Sequence, residues 1–109
     1  MFNIVSHKRN EVGAVLLRAL EPIGGIEYMK LHRPVSELVE LTNGPGKLTL
    51  AMQIDRKLSG TSVASQRSEI QVLYHATPVT INRSHRIGVR RDMDRQLRFF
   101  IAGNRFVSK

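Results

Sequence analysis

Apolar and polar residues alternate with different rhythms along this chain. Over residues 13–22, GAVLLRALEP, apolar side chains run almost without interruption from Gly13 to Pro22. A short apolar run bounded by turn residues predicts a strand, here one buried on both faces. Gly24 and Gly25 predict a turn. Residues 27–33 predict one short helical turn, ended by Pro34. Over 35–42, VSELVELT, the apolar positions Val35, Leu38, Val39 and Leu41 follow helical spacing, and Asn43-Gly44 closes the segment. Residues 45–54 predict a second helix. Pro45 suits its first position, where a missing N–H costs nothing, and Leu48, Ala51 and Met52 then share a face. From residue 68 the rhythm becomes strand-like. EIQVLY, PVTI, HRIGV and LRFFIAG are short alternating runs separated by turn-like residues. The pattern predicts a mixed α+β domain whose helices lie in the first half and whose strands dominate the second.

Composition adds a charge asymmetry. With 109 residues and 41% hydrophobic side chains, the chain suits one domain with a small core. There is no cysteine, which excludes disulfides, thiolate metal sites and cysteine nucleophiles. No apolar run approaches the roughly 18 residues of a membrane span. MFNIVSHKRN lacks the pattern of a signal peptide, so a soluble cytoplasmic protein is expected. The net charge is +8. Residues 1–54 carry 6 basic and 5 acidic side chains, net +1, whereas residues 55–109 carry 11 and 4, net +7. A basic half favours a polyanionic partner, most often nucleic acid; a basic charge that serves only solubility is the alternative.

Three groups of residues carry candidate chemistry. The first is LTNGPGKLTLAM, residues 41–52. It lacks the P-loop pattern: Leu41 stands where the first glycine belongs, and Leu48 where a serine or threonine would hold magnesium. The Rossmann glycine pattern is also missing. Gly44 and Gly46 nonetheless permit close backbone approach, the helix start directs free N–H groups outward, and Lys47 adds a full charge. That combination suits a backbone phosphate, or else an ordinary helix start with a surface lysine. The second is Arg18, which shares a strand face with Leu16 and Leu20. A charge on an apolar face is costly unless paired, so Arg18 either forms a structural ion pair or serves a site. The third is RSHRIGVRRDMDRQLR, residues 83–98, where Arg83, Arg86, Arg90, Arg91, Arg95 and Arg98 face only Asp92 and Asp94. Arginine forks fit phosphate oxygens; a solvated, salt-bridged loop is the alternative. Gly88, between Ile87 and Val89, suggests a bulge or a close approach. His7, His32, His75 and His85 lack metal-ligand spacing.

VLLRALEP (15–22), LTNGPGKLTLAMQID (41–55), RIGV (86–89) and LRFFIAGNRFVS (97–108) occur in this order and spacing. The chain thereby resembles the 3-methyladenine (alkyladenine, methylpurine) DNA glycosylase family over nearly its whole length. The resemblance implies an α+β fold around a curved, mainly antiparallel, open-barrel-like sheet with a few short helices. It implies hydrolysis of the N-glycosidic bond of alkylated or deaminated purines in double-stranded DNA. The damaged nucleotide is flipped into a pocket, and a glutamate acts as general base on the attacking water. No metal or organic cofactor is implied, and a monomer is expected. Arg18 matches the arginine that helps hold the water. Ile87 matches the residue whose backbone carbonyl meets the same water, and Gly88 keeps that turn tight. Asn3 matches the pocket asparagine that disfavours the guanine 2-amino group. Lys47, with Gly46, would contact a DNA phosphate. Charge alone, rather than the resemblance, adds Arg86 and Arg90 as DNA contacts.

The matched segments correspond to the C-terminal half of such a glycosylase, so residues 1–109 are expected to form a single domain of that kind. The family's catalytic glutamate and its wedge tyrosine lie N-terminal to the matched part. Glu11, Glu21, Glu27 and Glu37 do not match the context of that glutamate. This chain alone is therefore expected to bind DNA weakly and to excise nothing. A non-catalytic basic domain that binds nucleic acid, or a decayed fragment, is the alternative. Gln53 stands where the family often has glycine, and residues 56–66 match poorly.

Overall fold

A computed structural model describes residues 1–108. The class is α+β, as expected, with antiparallel strands and, among the described residues, no closed barrel. Strand β1 (Asn3–Val5) pairs antiparallel with β2 (Ala14–Leu16), Asn3 opposite Leu16 and Val5 opposite Ala14. Helix α1 (Ile26–His32) follows, then a 3₁₀ turn over Leu38–Leu41, helix α2 (Pro45–Ala51) and a second 3₁₀ turn over Arg56–Leu58. Strand β3 (Ile81–Ser84) pairs antiparallel with β4 (Arg98–Ile101), Ile81 opposite Ile101 and Ser84 opposite Arg98. The β-structure is thus divided between two two-stranded ladders.

The strand expected over 13–22 is shorter than that run: β2 ends at Leu16, and the Leu17 N–H donates to the Phe2 carbonyl at 3.0 Å. Residues 14 and 15 are exposed and 16–20 half-buried, so this segment is not covered on both faces. At the hairpin's other end Ser6 N–H donates to the Gly13 carbonyl. A Cβ at Gly13 would stand 3.3 Å from the Ser6 carbonyl oxygen, so glycine lets the two chains close there.

The helices start and stop where their residues demand. Gly25 takes a left-handed φ of 70° ahead of α1, and Glu27 in the first turn with Lys30 and His32 in the last complement the helix dipole. Pro45 occupies the first turn of α2, as expected. The 35–42 segment forms only a 3₁₀ turn at its end, and a side chain caps its last carbonyls. The Arg33 guanidinium donates to the Leu41 carbonyl at 3.1 Å and to the Glu40 carbonyl at 2.9 Å. Gln53 has a left-handed φ of 53°. Glycine would adopt that conformation without strain, which is a physical reason for the residue expected there. The Tyr28 hydroxyl donates to the Gln53 side chain and offsets part of the cost.

The buried apolar core comprises Leu41, Leu48, Ala51 and Phe106. Thr42 and Ser108 are the buried polar residues beside them. Thr42 ties the first half together: its hydroxyl donates to the Leu20 carbonyl at 2.6 Å, and its own carbonyl accepts from Leu20 N–H at 3.2 Å. Met52 does not share the buried face of α2 but caps the helix and is 39% exposed. Of the four runs expected as strands after residue 68, LRFFIAG holds β4. PVTI contributes only Ile81 to β3, and among the described residues EIQVLY and HRIGV join no ladder, although the Val72 N–H donates to the Val63 carbonyl at 2.8 Å. Alternation marks a segment able to pair, but a ladder needs a neighbour at the right register.

Candidate functional site

Residues of both ladders and the C-terminal segment line an open cavity of about 680 Å³. Leu16 to Glu21 line one wall, Arg86, Ile87 and Val89 a second, and Leu97 to Ile101 with Phe106 to Ser108 a third. Most of this lining is apolar. Arg18 lies one residue beyond the last hydrogen bond of the β1–β2 pair, so its side chain leaves the ladder for the cavity wall. Its guanidinium Nη1 donates toward the Ile87 carbonyl at 3.5 Å, and its Nε donates to the Ser108 hydroxyl at 3.4 Å. Among the described residues no carboxylate pairs with it, so the structural ion pair is ruled out there and the charge faces neutral oxygens. An arginine in that setting can hold an anion, or a water that donates in turn to the carbonyl.

Gly88 shapes the carbonyl's turn. Its φ is 74°, and a Cβ there would meet nothing within 4 Å. The turn therefore needs glycine for its backbone and not for space. HRIGV is a bend rather than a strand, so Gly88 forms neither the bulge nor the close approach expected of it and serves instead as a positive-φ position. Gly88→Ala is expected to lower stability by about 1 kcal/mol from backbone strain alone, measured by urea unfolding. Disturbed chemical shifts should be confined to residues 85–90 and Arg18.

The remaining sequence candidates fall elsewhere. Asn3 is exposed in β1 and lines a second cavity of about 840 Å³, with Ile54 and residues 58–64, apart from Arg18. Lys47 and Gly46 are exposed at the start of α2, and the Lys47 ammonium donates to the Asn43 side-chain oxygen at 2.9 Å. Arg90 is exposed. Arg86 instead closes its own loop, donating to the Arg91 carbonyl at 3.0 Å and lying 3.6 Å from an Asp92 carboxylate oxygen. The site therefore unites Arg18, Ile87 and Gly88, while Lys47, Asn3 and Arg90 lie outside it.

Sequence reasoning grouped Arg98 with the candidate phosphate-binding arginines and did not single out Ser108, and both line this cavity. Arg98 sits in β4 with its guanidinium carbon 4.5 Å from the centre of the Phe100 ring. It donates to the Ser84 hydroxyl at 2.9 Å and to the Ser108 carbonyl. The signal was available: like Arg18, Arg98 is a lone charge in an apolar strand.

The fold and cavity define a basic α+β module that presents a guanidinium and a backbone carbonyl inside an apolar cleft. The family model described as methylpurine-DNA glycosylase matches residues 1–105, and the chain belongs to that family. Curated relatives bear the name "Putative 3-methyladenine DNA glycosylase". One from Francisella tularensis (strain WY96-3418) is 40% identical over 99% of this chain and 58% of the relative. One from Mesorhizobium japonicum is 40% identical over 99% of this chain and 52% of the relative. One from Prosthecochloris aestuarii is 37% identical over the whole chain and 52% of the relative. The chain thus spans a little over half the length of the curated relatives it matches.

Proposed function

We propose that this chain is the water-holding half of a base-excision DNA glycosylase. It acts on duplex DNA whose damaged purine has been flipped out of the stack, and it hydrolyses the N-glycosidic bond of alkylated or deaminated purines. Residues 1–109 form a single domain, the C-terminal half of a larger glycosylase domain. The protein works as a monomer in the bacterial cytoplasm, on the nucleoid, and needs no metal or organic cofactor.

The observation that carries this reading is the approach of the Arg18 guanidinium to the Ile87 carbonyl at the wall of an apolar cavity. A water there accepts from the guanidinium and donates to the carbonyl. Both contacts aim its remaining lone pair at the anomeric carbon of a sugar placed in the cleft. Positioning of this kind converts a bimolecular encounter into a near-attack arrangement. A carbonyl cannot keep the proton that attack releases, so a carboxylate must take it. Glu21 lines the same cavity, but its carboxylate accepts from the Asn104 amide at 2.9 Å. We assign the base to a glutamate of the full-length enzyme outside this half.

The test is direct. The purified 109-residue chain is mixed with a duplex carrying hypoxanthine or 3-methyladenine, and binding and single-turnover base release are followed. Weak, salt-sensitive binding without base release is expected. Release of either base by this chain alone would overturn the assignment of the general base.

Lys47 offers a second check. Lys47→Ala is expected to weaken binding about equally for damaged and undamaged duplex, and to lower the slope of log affinity against log salt by about one. Fluorescence anisotropy at several salt concentrations measures it. The exposed Arg90 and Arg91 favour the rival reading of a purely binding module. Under that reading Arg18→Ala would alter stability alone.

A further inference from the structure

We propose that Arg98 is a positioning residue that sets the orientation of Arg18 through Ser108. The consequence for chemistry rests on the glycosylase reading, but the relay itself stands on contacts. Ser108 is 4% exposed and belongs to no strand, so no ladder fixes its backbone. A buried carbonyl needs a donor, and Arg98 supplies it. Arg98 is itself held at three points. It lies in register with Ser84 in the β3–β4 ladder, it donates to the Ser84 hydroxyl, and its guanidinium covers Phe100. Its donors thus hold the Ser108 backbone, and the Ser108 hydroxyl on the other side accepts from Arg18 Nε. The chain of contacts runs from the β3–β4 ladder to the guanidinium beside the Ile87 carbonyl.

The relay is made of neutral acceptors, and that has a use. A carboxylate in place of Ser108 would orient Arg18 as well but would cancel its charge in a cleft of low polarity. Serine orients the guanidinium and leaves its charge to act on a bound water or anion. Arg98, to which the described residues likewise offer no carboxylate, adds a second cation to the lining of the same cavity.

The Arg18 Hε–Nε resonance in the 109-residue chain reports the relay, whether or not the chain takes part in excision. Ser108→Ala removes the acceptor and is expected to speed Hε exchange with solvent about tenfold. Arg98→Lys keeps the charge but loses the planar fork, and is expected to give a similar acceleration. The double variant should exchange no faster than Ser108→Ala alone, since both changes cut one path. The amides of Leu48 and Ala51, in α2, serve as the control for global folding. An unchanged Hε rate in Arg98→Lys, or multiplicative effects in the double variant, would overturn the relay. Should Arg98→Lys not fold, Ser84→Ala is read instead: faster exchange supports the relay and an unchanged rate overturns it. Failure of the excision reading would appear in the DNA assays and leave these rates unaltered.

Discussion

Arg18→Ala, introduced into a full-length family enzyme carrying this segment, is expected to lower single-turnover base release by about a hundredfold or more. Affinity for damaged duplex should change by no more than about threefold, because phosphate contacts elsewhere dominate it. The split follows from where Arg18 lies. Its guanidinium is half-buried and faces the Ile87 carbonyl and the Ser108 hydroxyl, not the exposed basic surface. Alanine removes both the donor that holds the water and the only cation beside that carbonyl to which the described residues offer no carboxylate. Arg18→Lys keeps the charge yet loses the fork, and should recover only part of the rate. Rate and affinity falling together would place Arg18 in binding and not in catalysis. An effect on unfolding alone would favour the non-catalytic module.

The second large effect concerns the core. Leu48→Ala is expected to cost about 2–5 kcal/mol, the range for deleting a fully buried leucine. In a core whose buried apolar residues are Leu41, Leu48, Ala51 and Phe106, that loss rivals the whole stability of a small domain. Urea unfolding followed by circular dichroism should lose its cooperative transition. Leu50→Ala, two positions along the same helix at a site 60% exposed, should change stability by no more than about 0.5 kcal/mol. Equal effects at the two positions would mean that α2 does not pack as described. This pair also separates a folded half-domain from a decayed fragment, which has no cooperative transition to lose.

Much of the local structure was legible along the chain. Pro45 behind Gly44 marked the start of α2, and the Leu48 and Ala51 spacing marked its buried side. Gly25 and Pro34 bracketed α1. The LRFF run found β4. These succeed because a helix closes its hydrogen bonds within itself, so its ends and its apolar face are written in nearby residues. The strands were over-read for the opposite reason. EIQVLY alternates well but has no partner strand among the described residues, and β2 forms only over Ala14–Leu16 of the longer apolar run.

The sequence alone determined the charge asymmetry, the α+β class, the helix of the Gly-Pro-Gly-Lys segment and the oddity of an arginine at position 18. Its ordered motifs determined the family. Only the tertiary structure decided what Arg18 faces. Ile87 and Ser108 stand 69 and 90 residues away in the chain. Such contacts depend on how the two ladders and the C-terminal segment close around one cavity. They depend equally on Arg98, whose side chain finds the Ser108 carbonyl only after that closure. Local pattern encodes which residues can pair with neighbours; the three-dimensional fold alone selects the distant oxygen that each buried cation meets.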